Sequence, residues 1–179
     1  NKGNLGANAV LGVSIACAQA AAACLSLPLY RYLGGCFAHT LPIPLINMIS
    51  DGKHCNNGLS FQEFMILPSG ASDFKEGVRI GAEIFHQLGE ILKLDGYSCS
   101  VSDEGGFAPA LSSNEKALAL VVKAIAQAGY QPGKDVTLSL DAAAPQLWVN
   151  GAYHLCDKEN MAMTTEDLLE YYEYLCDKF

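Results

Sequence analysis

The nine residues Val101-Ser-Asp-Glu-Gly-Gly-Phe-Ala-Pro109, the acidic glycine loop, place Asp103 and Glu104 directly before two glycines. Paired glycines let the backbone adopt positive φ and bring peptide groups close to a ligand. Acidic side chains in such a loop could bind a metal ion or transfer a proton. Asp, Gly and Pro are equally typical of a solvent-exposed turn, so the loop by itself does not decide between a site and a turn.

Downstream of residue 40 the apolar pattern predicts the order strand, strand, helix, helix, strand, helix. The strands are expected over 41–49, 61–67 and 136–140, and the helices over 72–94, 114–128 and from 164 or 165 to the C-terminus. Ser72 is the expected N-cap of the first of these helices. Asn150 and Gly151 predict a hairpin before the last helix. The alternation of strands and helices indicates an α/β fold.

The N-terminal region has a different character. Asn8 is expected to cap an alanine-rich helix that ends near Leu25, and residues 29–33 are expected to form a short continuation. Residues 5–30 carry no charged side chain and include Ala18-Gln19-Ala20, which is also typical of a signal peptide. A membrane span and a tightly packed helix of a soluble protein are the alternatives, and the packed helix is our expectation.

The chain direction along the predicted elements brings polar residues to one rim of the sheet. The first strand ends at the loop of His54, and the antiparallel second strand begins at Gln62 and Glu63. The helices then return the chain so that Glu104 and Asp141 reach the same side. In barrel-like α/β sheets, active sites form at the C-terminal ends of the parallel strands. We therefore expect these residues to share a candidate site, although each one singly could be an ordinary loop residue.

These residue types restrict the possible chemistry. Asp141 follows an apolar run and offers a hard oxygen ligand suited to Mg²⁺. Glu63 and Glu104 could donate or accept a proton, and His54 could contact an anionic substrate. The chain contains no G-x-S-x-G, Walker or G-x-G-x-x-G motif, which removes the usual sequence signals of a hydrolase or a nucleotide-binding protein.

The composition narrows the class of protein further. The 179 residues are 50% hydrophobic, enough for one sizeable core, and the formal net charge of −8 argues against a sequence-independent nucleic-acid binder. The seven cysteines are odd in number and form no C-x-x-C pair. This spacing favours unpaired thiols and a cytoplasmic protein over a secreted disulfide framework.

Four segments of the chain resemble the enolase family in sequence, order and spacing. They are residues 5–16 (LGANAVLGVSIA), 62–66 (QEFMI), 103–109 (DEGGFAP) and 140–144 (LDAAA), and their character is closer to that of bacterial members. The resemblance implies that residues 1–39 are the C-terminal part of an α+β N-terminal domain. It implies that residues 40–179 begin a TIM-like α/β barrel. It also implies a Mg²⁺-dependent lyase of glycolysis that dehydrates 2-phosphoglycerate to phosphoenolpyruvate.

The resemblance also implies roles for single residues. Glu104 would be the acid that protonates the departing hydroxyl, and Gln62 and Glu63 would line the substrate pocket. His54 would lie on a loop that contacts substrate, and Asp141 would be the first protein ligand of Mg²⁺. The implied protein is a cytoplasmic homodimer with a small-molecule substrate and no nucleic-acid or membrane partner.

The chain departs from the family pattern at the rim. Ser50-Asp51-Gly52 replaces Asn-Gly-Gly, Ser102 replaces a glycine, and Pro145-Gln146 replaces Ser-Glu. The chain begins with Asn1 and contains no segment that matches the family's catalytic lysine, so we expect an internal fragment that is inactive in isolation. The alternative is a non-catalytic enolase-like protein or binding fragment.

Overall fold

The computed structural model describes residues 3–50, 58–156 and 162–179. The chain divides into two compact units, Asn1–Pro42 and Ile43–Phe179. The second unit contains the acidic glycine loop and all of the strands in the described part of the chain.

The first unit is helical. Helix α1 spans Ala7–Cys24, α2 spans Leu29–Gly34, and a 3₁₀ turn follows at Gly35–Phe37. The prediction that Asn8 caps α1 is wrong, because the N-cap is Gly6, two residues earlier, and its φ of 72° is accessible to glycine. Asn8 therefore lies within the first turn.

Helix α1 also bears on the membrane alternative. Among the described residues it is the one helix with the length and apolar composition that would allow a membrane crossing. A signal sequence or the core helix of a soluble protein shares both properties, so composition alone does not choose between them.

The second unit is built on a three-stranded sheet. Strand β1 spans Ile46–Ser50, β2 spans Glu63–Leu67 and β3 spans Thr137–Asp141, in the order β1-β2-β3. Both neighbouring pairs are antiparallel, so β1 and β3 run in the same direction, as the sequence predicted. The first strand starts later than predicted because Pro42 and Pro44 cannot donate to a sheet ladder.

Two long helices pack with this sheet. Helix α3 spans Phe74–Leu94 and buries one face that includes Ile80, Ile84, Leu88 and Ile91, while α4 spans Asn114–Gln127. Ser72 is not the cap of α3. Asp73 holds that position, and its side chain accepts from the Glu76 N–H at 2.8 Å. The predicted extent of α4 is confirmed to within one residue.

A second sheet follows β3. The short helix α5 spans Ala144–Leu147, and strands β4, β5 and β6 span Trp148–Val149, Ala152–His154 and Ala162–Met163. The predicted hairpin is confirmed between β4 and β5, where Asn150 and Gly151 have φ of 52° and 89°. Helix α6 spans Thr165–Lys178, as predicted. Neither α5 nor β6 was predicted.

Candidate active site

The sheet registers bring two predicted carboxylates together. Glu63 lies opposite Asp141 in the β2–β3 pair and opposite Ser50 in the β1–β2 pair. Residues directly opposite each other in an antiparallel pair project to the same face. The start of β2 is therefore flanked by the C-terminal ends of the two strands that run parallel to each other.

The acidic glycine loop is fixed to this end of the sheet by Phe107. Its N–H donates to the Met48 carbonyl at 3.0 Å, and its carbonyl accepts from the Ser50 N–H at 2.9 Å. The Phe107 ring stacks on Phe85 of α3, with ring centroids 4.2 Å apart. Backbone pairing and aromatic packing together hold the loop beside β1.

The two glycines of the loop are required for different reasons. Gly105 has a φ of 96°, which favours glycine over any residue with a side chain. Gly106 is limited by space, since a Cβ there would lie 2.6 Å from Ser50 Oγ and 2.9 Å from Asn47 Oδ1. The turn therefore depends on both positions lacking a side chain.

Gln62 orients the Glu104 carboxylate. Its Nε2 lies 3.3 Å from each carboxylate oxygen of Glu104, while its Oε1 accepts from Gln146 Nε2 at 3.2 Å. The two contacts distinguish the ends of the Gln62 amide, because a carboxylate accepts and an amide NH₂ donates. Gln146 was recognised in the sequence only as a departure from the family pattern, and the structure places it against a predicted site residue.

Asn47 is a site residue that the sequence analysis missed. Its Nδ2 lies 2.8 Å from Ser50 Oγ, 3.2 Å from Glu63 Oε1 and 3.5 Å from the Glu104 carbonyl oxygen. One amide thus reaches β2 and the acidic glycine loop from β1. The available signal was that Asn47 is a polar residue within the apolar run of β1. That signal does not reveal which groups its amide contacts.

Negative charge is concentrated around Glu63. Burial raises the pKa of this carboxyl above its ordinary value, and the charges of Glu104 and Asp141 raise it further. Desolvation and like charge both favour the neutral acid. A bound cation would act in the opposite direction, because it would favour the ionised carboxylates.

Asp141 is suited to be one ligand of a hard cation. Its Oδ1 accepts from the Ala143 N–H at 2.8 Å, which orients the carboxylate at the end of β3. Carboxylate oxygen is the ligand type that Mg²⁺ prefers. Within residues 3–50, 58–156 and 162–179, no group of three or more His, Cys, Asp or Glu side chains could hold a metal ion. The described residues therefore fit a contribution to a Mg²⁺ site but not a complete ligand set.

Four of the five predicted site residues lie in the described part of the chain. The strand registers, hydrogen bonds and electrostatic interactions given above link these four residues, which are Gln62, Glu63, Glu104 and Asp141. His54 lies outside the described residues, as does Asp51.

Two family models match the chain. The model described as "Enolase, C-terminal TIM barrel domain" matches residues 38–179, which include every residue of the candidate site. The model described as "Enolase, N-terminal domain" matches residues 1–33. The open sheets and helices of the second unit agree with part of an α/β barrel. The first match alone covers more than half of the chain, and the chain therefore belongs to the enolase family.

Proposed function

We propose that this chain is part of a cytoplasmic Mg²⁺-dependent lyase that dehydrates 2-phosphoglycerate to phosphoenolpyruvate in glycolysis. The observation that carries the proposal is the Glu104 carboxylate, held by Gln62 beside the acidic pair of Glu63 and Asp141. Dehydration needs a group that gives a proton to the departing hydroxyl, and a positioned carboxyl can do so.

In this proposal Glu104 is the general acid. The Gln62 amide fixes the direction of its carboxyl, and the backbone pairing of Phe107 holds the acidic glycine loop beside β1. Gln62 and Glu63 line the pocket for the small anionic substrate, and His54 is assigned to the loop that contacts this substrate.

Asp141 would be one of the ligands of Mg²⁺. When bound, the cation would offset the negative charge that develops on the substrate. The Ala143 N–H already orients the Asp141 carboxylate by donating to its Oδ1. The proposal also includes that the protein is a homodimer. Residues 1–39 and 40–179 would belong to two different domains.

The proposal is tested by turnover of the protein as its own gene encodes it, however far it extends beyond these residues. We expect turnover of 2-phosphoglycerate to disappear with a chelator and to return with Mg²⁺. Asp141→Asn should raise the Mg²⁺ concentration needed for half-maximal turnover, whereas Asp95→Asn, on an aspartate at the end of α3, should not. Turnover that is indifferent to Mg²⁺ would contradict the proposal.

The 179-residue chain alone is expected to show no turnover. Within the part of the chain that the structure describes, no complete group of metal ligands is present. Loss of one member of a catalytic unit removes most of the rate. Measurable Mg²⁺-dependent turnover by this chain would show that it holds the whole catalytic unit.

A non-catalytic enolase-like protein is the second candidate. The observation that favours it is the set of departures from the family pattern at the rim. They include Ser102, which donates to Ser50, and Gln146, which donates to the predicted site residue Gln62. Restoring glycine at positions 51 and 102 in the gene-encoded protein separates the two candidates. Activity that appears only after restoration would support the non-catalytic alternative, and full activity without restoration would contradict it.

A further inference from the structure

A chain of hydrogen bonds runs from the acidic glycine loop to Glu63. Ser102 Oγ donates to Ser50 Oγ at 3.0 Å, and Ser50 Oγ also accepts from Asn47 Nδ2 at 2.8 Å. The same Nδ2 lies 3.2 Å from Glu63 Oε1. Three side chains thus connect the loop, the end of β1 and the beginning of β2.

The surroundings fix which end of the Asn47 amide faces the site. Its NH₂ group faces the Glu63 carboxylate and the Glu104 carbonyl, which accept hydrogen bonds. Oδ1 is buried and has no hydrogen-bond partner within the described structure. A buried acceptor without a hydrogen bond is unfavourable. The orientation persists because the contacts of the NH₂ group offset this cost.

The packing of the loop limits any rearrangement of this chain of contacts. Gly106 lies so close that a Cβ there would be 3.0 Å from the Ile49 carbonyl carbon, as well as against Ser50 Oγ and Asn47 Oδ1. The loop backbone therefore closes over the two side chains.

The two serines are also departures from the family pattern, and they contact each other directly. They are 52 positions apart in sequence, yet each hydroxyl is a hydrogen-bond partner of the other. The two departures consequently form one coupled change at the rim. Ser102 supplies a side chain in the loop, and Ser50 Oγ accepts a hydrogen bond from its hydroxyl.

We propose that Ser102, Ser50 and Asn47 are positioning residues that set the Glu63 carboxylate and the Glu104 peptide relative to each other. Ser102 acts on the site through Ser50, and Ser50 acts through the Asn47 amide. The importance of this positioning for catalysis rests on the proposed function, whereas the coupling of the three side chains does not.

The coupling is tested by following the Asn47 side-chain NH₂ resonances in the ¹⁵N-labelled 179-residue chain, identified by their loss in Asn47→Asp. We expect Ser102→Ala and Ser50→Ala each to shift these resonances and Ser102→Thr, which keeps the hydroxyl, to restore them close to wild type. Ser98→Ala is the control, because it also removes a serine hydroxyl that donates to another serine, at 3.1 Å from Ser100, but in an exposed and local pair. An unchanged Asn47 signal in Ser102→Ala, or an equal shift in Ser98→Ala, would overturn the proposal.

A measurement on the unsubstituted chain covers the case in which a variant does not fold. The Asn47 NH₂ hydrogens should exchange with solvent at least about 10-fold more slowly than those of exposed Asn4, because hydrogen bonding and burial protect them. Equal exchange rates would also overturn the proposal.

The catalytic consequence is measured separately in the gene-encoded protein. Ser102→Ala should lower kcat by on the order of 10- to 100-fold with little change in KM, since small displacements of reacting groups cost this much. Ser102→Thr should recover most of the rate. A change in KM alone, or no change, would contradict the positioning role. Absence of turnover in the unsubstituted protein would instead count against the proposed function and leave the NMR result standing.

Discussion

At the scale of single residues, Glu63 is where the charge of the site is concentrated. Its pKa is raised by burial first and by Glu104 and Asp141 second, so the folded chain holds the Glu63 proton more tightly than the unfolded chain does. The stability contributed by the protonated form is fully present below the unfolded pKa of about 4.3 and is lost as pH rises through the folded pKa.

Glu63→Gln should therefore increase the free energy of unfolding at pH 7 when divalent cations are absent. The increase should shrink towards zero as pH falls to about 4, where the wild-type carboxyl is protonated as well. Urea unfolding at several pH values measures this difference. Glu90→Gln, on an exposed glutamate of α3, is the matched control for the change from glutamate to glutamine. A stabilisation by Glu63→Gln that is independent of pH would contradict the electrostatic explanation.

Gly106 gives a steric prediction at the same scale. Gly106→Ala should destabilise the second unit by about 1–3 kcal/mol, because the new methyl group has no space beside Ser50 and Asn47. Gly12→Ala is a control of opposite sign, since nothing lies within 4 Å of that helical position and alanine favours a helix. Chemical unfolding of both variants is the measurement. Equal stability of Gly106→Ala and the parent would show that the loop does not close on β1 as described.

The site residues differ in how far the sequence could predict them. Chain direction alone predicted that one rim holds Glu63, Glu104 and Asp141. The prediction was possible because β2 is antiparallel to both of its neighbours, which run in the same direction. The Asn47 contacts and the Ser50–Ser102 pair were not predictable in this way. They depend on where the acidic glycine loop closes, and partners that are 16 and 52 positions apart carry no local signal.

At the scale of elements, α6 begins with a capping box. Thr164 Oγ1 accepts from the Asp167 N–H at 3.1 Å, and Asp167 Oδ2 accepts from the Thr164 N–H at 2.8 Å. Each side chain satisfies a backbone donor that the helix leaves unpaired. The backbone and side chain of Thr164 together hold the pKa of Asp167 below its ordinary value.

Thr164→Ala should cost about 1 kcal/mol of stability, whereas Thr164→Ser, which keeps the hydroxyl, should cost much less. The contribution of ionised Asp167 is present above its unfolded pKa of about 3.9 and is lost as pH falls through the lower folded pKa. Thr164→Ala should therefore also reduce the amount of stability that the protein loses as pH falls below the unfolded pKa of Asp167. Urea unfolding between pH 2 and 7 measures both effects, and equal losses for the alanine and serine variants would contradict the capping role.

Local signals were sufficient for some elements and not for others. Helix α4, helix α6 and the β4–β5 hairpin followed from apolar spacing and from Asn150-Gly151. The cap of α3 was misplaced by one residue, although Asp73 and Glu76 have the three-residue spacing of a capping box. Strand β6 has two residues, Ala162–Met163, and becomes a strand only through pairing with β5, so its own sequence did not indicate it.

At the scale of the whole molecule, the cysteines test the class of protein. Six of the seven, at positions 17, 24, 36, 99, 156 and 176, are described, and all six are unpaired and exposed. We expect titration of the unreduced, natively purified protein with a thiol reagent to find no disulfide among these cysteines. A secreted disulfide framework would instead give far fewer reactive thiols before reduction than after it.

The central claim concerns the whole catalytic assembly, in which Glu104 gives a proton to the departing hydroxyl. The most direct test is the steady-state kinetics of Glu104→Gln in the gene-encoded protein, with Glu90→Gln as the matched control. We predict that Glu104→Gln lowers kcat by about 10²- to 10⁴-fold and leaves KM close to that of the parent, because the proton is used mainly in the transition state. A variant that binds substrate more weakly but turns over at the parental rate would contradict the account, because Glu104 would then be a binding residue.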